Sequence, residues 1–460
     1  MSTAGTLLTI ALICGLVYLV RDKEGVTSKA IWIPTMWFWI VFSRPLTMWL
    51  HVERNVTQQN RFTEGSPIDA AFYGLLIVAA AVVLNRRGRQ FRSFVRLNWP
   101  ILLFFFYCGL SIAWADDPAI AIKRCIKAAG EVLVVLVLLT DPNPTLALKR
   151  VFTRVGFSLI LLSGLFIYLI PSMGTTYDVT DHKTFYIGVC TWKNQLGLLC
   201  MVCGLTSLWQ LMDAYDEGKI REQLRVMLPH MVIFGMAIWL TKKADAMTAY
   251  ACLGLASGVL VLTSLKWARR RGAVFMVVAG TVGIALFAVF LDSAGTVLQS
   301  IGRNSTLTGR TQIWAAVLSQ HTNPLLGTGF ESFWMGSRMQ SVWDQSQQGI
   351  DESHNGYLEI YVNLGLIGLA LLVLLIGSGY RHAVELFRRD PRVGRLRVAF
   401  FTASLIFSLS EAGFRMMTPI WIGFLLSITS VAPPGTLDAQ ASTGFQLRMG
   451  GGRRPARILQ

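Results

Sequence analysis

Arg303, Arg310, Arg338, His321 and His354 share one polar stretch between two strongly apolar runs, in a chain with only 15% charged residues. These side chain types suit proton transfer and anion binding. An imidazole with an unperturbed pKa near 6.5 takes a proton from a hydroxyl as a bond forms, and a guanidinium offers phosphate oxygens a planar, bidentate fork. Arg310 is predicted to open a helix, Thr311 to Gln320, that stops before Asn323-Pro324, because the residue preceding proline disfavours helical backbone. A helix start adds free backbone N–H groups to the guanidinium. Arg303 reads equally as a second anion contact or as a loop residue paired with Asp292. His354 stands where the stretch re-enters an apolar run, beside Asn355, Gly356 and Glu359. A lone histidine at a helix entrance is more often a cap than a base. Lys193 with Asn194, and Lys242 with Lys243, occupy two further polar gaps. Singly each lysine reads as a charge among lipid headgroups; together with the arginines they suit a diphosphate.

Other chemistries lack their residues. The chain has no His-Glu-x-x-His, Gly-x-Ser-x-Gly or Gly-x-x-x-x-Gly-Lys-[Ser/Thr], which leaves zinc hydrolysis, an esterase elbow and nucleotide hydrolysis without support. Nor is there an Asp-x-Asp to hold a metal. Ionisable groups are scarce at the centres of the apolar runs, where proton-coupled transporters place them.

The elements that must position these residues are membrane helices. With 53% hydrophobic residues and mean hydropathy +0.50, the chain is too apolar for a soluble protein, and its apolar runs approach the roughly 20 residues a spanning helix needs. The expected fold is an all-α integral membrane protein with about 12 or 13 crossings and one long loop, residues 292–356, between two late helices. A membrane domain is expected over residues 1–432, followed by a disordered Gly/Arg-rich cytoplasmic tail over 433–460. The net charge of +16 does not point to nucleic acid, because Lys and Arg cluster in alternate loops such as 86–96, 269–271 and 388–397, as the positive-inside rule requires of cytoplasmic segments. The long loop, Lys193 and Lys242-Lys243 then face outward, away from the cytoplasm. The seven cysteines lie in or beside apolar runs and read as packing residues.

Several pieces together resemble a known family. Thr308-Gly309-Arg310-Thr311, Trp314, Asn323-Pro324-Leu325-Leu326-Gly327-Thr328-Gly329, His354-Asn355-Gly356-Tyr357-Leu358-Glu359 and Gly365 to Gly368 look like the signature of the bacterial O-antigen ligase and polysaccharide polymerase superfamily. Trp192-Lys193-Asn194-Gln195-Leu196-Gly197 resembles its Lys-Asn-x-x-Gly element, and Lys242-Lys243 approximates its small cationic turn. The resemblance implies a metal-independent, inverting glycosyltransferase without cofactor, taking a glycan from undecaprenyl diphosphate on the periplasmic face. His354 would be the base and Arg310 a catalytic cation; Lys193, Lys243, Lys242 and Arg303 would bind diphosphate, with Asn194, Asn355 and Glu359 in support. Exopolysaccharide or O-antigen polymerisation is the expected reaction, and ligation to lipid A-core the alternative. A lipid-linked oligosaccharide flippase is the non-enzymatic rival. Implied partners are the lipid-linked donor, a glycan or lipid A-core acceptor and membrane lipids, with a chain-length regulator and a flippase as further candidates.

Overall fold

The computed structural model describes residues 15, 25–51, 66–178, 183–218, 220–293, 307–346 and 349–432. In chain order the helices used below are α1 Trp32–Val41, α2 Pro67–Arg86, α3 Gly88–Leu97, α4 Trp99–Leu110, α5 Pro118–Leu139, α6 Pro144–Leu169, α7 Lys193–Asp216, α8 Ile220–Lys243, α9 Met247–Ser264, α10 Ala273–Ser293, α11 Leu307–Leu318, α12 Gly336–Ser346, α13 Gly356–Arg389, α14 Pro391–Phe407 and α15 Pro419–Ile428. Among the described residues the one sheet is a hairpin of β1, Thr175–Asp178, and β2, Lys183–Tyr186, antiparallel with Thr175 opposite Tyr186. It lies in a segment that the sequence presents only as a polar loop.

The fold is all-α and membrane-embedded. Among the described residues six helices are long and apolar enough to cross a bilayer, namely α2, α6, α7, the Leu224–Lys243 part of α8, α9 and α13; Gly88–Leu97 with Trp99–Trp114, bent by 83°, makes a seventh if taken as one span. The expected 12 or 13 crossings count every apolar run once, and the runs differ in what they become. The Ile31–Leu50 run folds as the 10-residue α1 and a separate turn, Leu46–Trp49. At about 1.5 Å per residue α1 covers roughly half of a 30 Å hydrocarbon core. α5 reaches 22 residues but carries Lys123, Arg124, Lys127 and Glu131, and α15 has 10 residues. The first apolar run, residues 6–20, lies almost wholly outside the described residues. So does the tail, residues 433–460.

The core is continuous, and α14 runs through it. Every residue of α14 from Val393 to Phe407 except Arg397 is buried, and the helix packs on α9, α13 and α15. Cys200 and Cys203 are buried on α7 and, like the other described cysteines, free. Both are packing residues.

The long loop does not run as a polar strap. α11 and α12 bury Ile313, Val317, Met339 and Val342 with Phe333 and Trp334 in a second, smaller core that reaches Val362 on α13. α13 itself is broken: Gly365 has φ +66°, outside the helical region. The Asn323–Gly329 segment lies against this break and takes up its backbone groups. The N–H groups of Thr328 and Gly329 donate to the carbonyls of Val362 and Asn363 at 3.1 and 2.9 Å, and Leu366 N–H donates to Pro324 O at 2.9 Å. Tyr107 Oη donates to Leu364 O at 3.1 Å. Irregular backbone at membrane depth is tolerable only with such partners. A Cβ on Gly365 would stand 2.2 Å from Leu325 O, whereas one on Gly377 would meet nothing within 4 Å. Gly365→Ala therefore carries a clash and about 1–3 kcal/mol of backbone strain. The expected result is a lowered thermal unfolding midpoint of purified protein, with Gly377→Ala unchanged or slightly raised.

Candidate active site

Arg310 and His354, 44 positions apart, meet on one carboxylate. Arg310 Nη2 donates to Glu411 Oε1 at 2.7 Å, and His354 Nδ1 lies 3.0 Å from Glu411 Oε2. Glu411 is only 4% exposed and sits in the turn between α14 and α15. Thr248 Oγ1, in the first turn of α9, reaches the same Oε1 at 3.4 Å. Arg310 itself lies inside the first turn of α11, because the helix begins at Leu307 and not at Thr311; first-turn N–H groups have no intrahelical partner to lose.

The motif around His354 builds this meeting. Asn355 caps α13, its Oδ1 accepting from Tyr357 N and Leu358 N at 3.0 Å each, while Nδ2 donates to Leu409 O at 3.3 Å. Gly356 N–H donates to Ser408 O at 2.8 Å, and a Cβ there would come 2.9 Å from Ser408. The Asn-Gly pair thus presses the α13 start onto the turn carrying Glu411. His354 takes φ +49°, a left-handed conformation that non-glycine residues adopt sparingly and that clusters at functional sites. Glu359 is a tether: it accepts from Trp334 Nε1 at 2.8 Å, Ser353 N at 3.0 Å and Asn363 Nδ2 at 3.1 Å. Trp314 Nε1 donates to Ser353 O at 2.9 Å, fixing the residue before His354.

A second carboxylate faces the ring. Glu352 Oε1 is 3.1 Å from His354 Nδ1. Arg415 holds this side of the site, with Nη1 at 3.2 Å from Asp351 and 3.8 Å from Glu352, and Nε at 3.7 Å from Glu331. Arg124 donates to the Glu331 carbonyl. Burial by itself would lower the His354 pKa, but hydrogen bonds to and charges on Glu352 and Glu411 outweigh it and push it up to about 10. Burial raises Glu411, and the His354 hydrogen bond and charge, with the charge of Arg310, overcome that and hold it below the ordinary carboxylate range. Four carboxylates surround Arg415 and raise its already high value further against burial. The cluster therefore holds an imidazolium and a guanidinium on one buried carboxylate, with Glu352 as a second anion beside the ring. Since both carboxylates contact Nδ1, Nε2 is the ring atom left to meet a substrate.

Glu352, His354 and Glu411 offer three ligand atoms within 4.8 Å of one another. A divalent ion would have to displace the proton on Nδ1 and share Glu411 with Arg310.

The lysines stand apart from this cluster, linked to it through packing. Lys193 Nζ lies 3.6 Å from the Phe185 ring centroid and Lys243 Nζ 4.5 Å from that of Tyr186. Phe185 and Tyr186 are neighbours on β2, so the two ammonium groups flank that strand. Lys193 begins α7 and Lys243 ends α8; a cation at a helix C-terminus is also favoured by the dipole. Gly197 permits the α9 start to come close, since a Cβ there would be 2.6 Å from Ala246 and 2.9 Å from Ala249. The flanked residue, Thr248, is the one that contacts Glu411. Lys242 is exposed and Asn194 half-buried, while Gln195 does the bonding expected of its neighbour, donating to Ser43 O at 2.7 Å. Arg303 lies outside the described residues.

Glu411, Glu352 and Arg415 were not singled out by motif. A signal existed for two of them: Glu411 and Arg415 are opposite charges in a short gap between two apolar runs, where ionisable groups are costly enough to suggest function.

Residues 230–373 match the family described as O-antigen ligase, from α8 through His354 to the broken part of α13. Over this stretch the chain is similar to the O-antigen ligase/polymerase-like membrane proteins. Over 383 residues it is 24% identical to the exopolysaccharide production protein ExoQ of Rhizobium meliloti (strain 1021), an alignment covering 78% of this chain and 81% of that one.

Proposed function

We propose that the protein polymerises undecaprenyl-diphosphate-linked oligosaccharide units on the periplasmic face of the inner membrane, in exopolysaccharide or O-antigen synthesis. The convergence of Arg310 and His354 on buried Glu411 carries this reading. The acceptor hydroxyl attacks the anomeric carbon from the face opposite the diphosphate, inverting it. The new C–O bond forms as the bond to the diphosphate oxygen breaks; the hydroxyl proton passes to His354 Nε2, and the electron pair leaves on the diphosphate. Glu411, on Nδ1, orients the ring and stabilises the imidazolium. Arg310, with Lys193 and Lys243 at the neighbouring helix ends, supplies fixed positive charge for the leaving group. Orientation follows from charge. His354 stands just before α13 and the basic group Arg388-Arg389 at its far end, and the basic end belongs in the cytoplasm. The exopolysaccharide relative favours polymerisation over ligation to lipid A-core.

The test is product formation by purified protein in detergent, given lipid-linked glycan. Elongated glycan is expected, unaffected by excess chelator, because protein cations do the work of a metal. Arg310→Lys keeps charge and loses the fork, and should cut the rate about 10- to 100-fold. Arg338→Lys, on a residue paired with Asp116 at 2.7 Å, should retain most of it. A flippase yields no elongated product in any arm, and that result would replace the enzymatic reading.

A further inference from the structure

At the end of α13 remote from His354, a cavity of about 320 Å³ opens between the α9–α10 connection and the last turns of α13. Arg269 and Arg270 reach it from one side, Arg388 from the other, and Val274, Phe275, Tyr380, Val384 and Phe387 line it. Among the described residues none of these three guanidinium groups has an ion-pair partner. Four other cations at this end are paired. Lys149 meets Asp213 at 2.5 Å, Arg395 meets Asp216 at 2.9 Å, Arg392 meets Glu217 at 3.4 Å and Arg389 meets Glu385 at 2.5 Å. A topological signal requires charge in the loops; it does not require guanidinium groups from two separate segments to converge, without counter-ions, on a concave site.

The rest of the lining identifies the ligand. Phe275 and Tyr380 pack edge to face at 6.3 Å, and the cavity wall continues onto an α10 flank where Phe275, Met276, Leu286 and Phe287 are exposed. That flank is fit for acyl chains. Trp267, beside the arginines and 37% exposed, has the place of an interfacial anchor. A soluble anion would use the guanidinium groups alone, whereas an amphiphile with an anionic head uses both halves. We propose that this pocket binds one anionic phospholipid, its phosphate among Arg269, Arg270 and Arg388 and its chains along α10. Basic pockets between membrane helices on the cytoplasmic side are suited to such headgroups.

The experiment titrates the purified full chain in nonionic detergent with dioleoylphosphatidylglycerol, dioleoylphosphatidylcholine or inorganic phosphate, and reads bound molecules per chain by native mass spectrometry. One phosphatidylglycerol is expected, held about tenfold or more tightly than phosphatidylcholine. Arg269→Gln with Arg388→Gln should weaken it about tenfold or more, while Arg389→Gln with Arg392→Gln, at the same end and outside the pocket, should leave it unchanged. Val384→Trp fills the cavity without altering charge and should weaken binding as well. If the first arginine pair does not insert, Arg388→Gln alone and Val384→Trp carry the test. Equal loss in both arginine pairs would show dispersed surface charge and overturn the proposal. Equal retention of phosphatidylcholine, or displacement by inorganic phosphate at matched concentration, would overturn it too, in favour of an annular lipid or a soluble anion.

Discussion

His354→Ala is expected to reduce glycan transfer about 10²- to 10⁴-fold, the range in which a positioned acid–base group contributes, with membrane insertion intact. The loss should be accompanied by a change in pH dependence. With the ring pushed up to about 10 by Glu352 and Glu411, the unmodified protein holds mostly imidazolium near neutrality, and the neutral ring that accepts a proton grows as pH rises. Its rate should therefore climb from pH 7 towards 9, and the alanine variant's rate should not. A high value is not wasted on a base: it strengthens proton acceptance in the transition state while thinning the competent population, a trade-off that is best when the value lies near the working pH. Were the ring instead to serve as a charged donor to the diphosphate, the rate would fall as pH rises through that value. The stability effect has its own sign. Because the folded value lies above the ordinary one near 6.5, the ring's contribution is complete below about 6.5 and is lost as pH rises towards 10. Chain-length distributions at several pH values, at matched protein levels, test the assignment; normal product from His354→Ala would remove it.

What the sequence displayed and what it concealed differ in range. The apolar runs appear where helices stand, because hydrophobic burial is written residue by residue, but whether a run crosses depends on length and on what it packs against, as α1 and α15 show. Arg310 and His354 could be picked out because short motifs surround them. Glu411 has none. Its role comes from contacts 57 and 101 positions away, and a glutamate in an α14–α15 turn becomes the centre of a site only once Asn355 and Gly356 have docked there. The same applies to other residues of the motifs. Gly197 is required by Ala246 and Ala249, Asn355 is a cap and Glu359 a tether, so parts of each motif encode approach of backbones and leave contact with the glycan to their neighbours. The β1–β2 hairpin was concealed for a simpler reason: four-residue strands such as Thr-Thr-Tyr-Asp carry too little periodicity to be told from loop.

Glu411→Gln should prove as damaging as loss of the histidine, and by a route that separates positioning from scaffolding. The amide keeps the shape of the side chain and one carbonyl acceptor, but it removes the negative charge that Arg310 and His354 share. Taking one partner from a buried charge network leaves the others uncompensated, at a cost of about 3–5 kcal/mol. Here that cost bears on two cations in one site. The ring loses one of the two carboxylates that raise it, so its pKa falls, and the activity that remains should have its acid limb displaced to lower pH. Transfer should drop about 10²-fold or more, since neither the ring's orientation nor the imidazolium formed during transfer is supported from Nδ1. Glu352→Gln offers the comparison. Glu352 shares itself between His354 at 3.1 Å and Arg415 at 3.8 Å and is half-buried, so its loss should move the limb in the same direction with a smaller rate penalty. If Glu411→Gln lowers the amount of folded protein but leaves the pH profile of the remainder where it was, Glu411 only braces the α14–α15 turn. A displaced profile at unchanged fold identifies it as the group that sets the charge of His354.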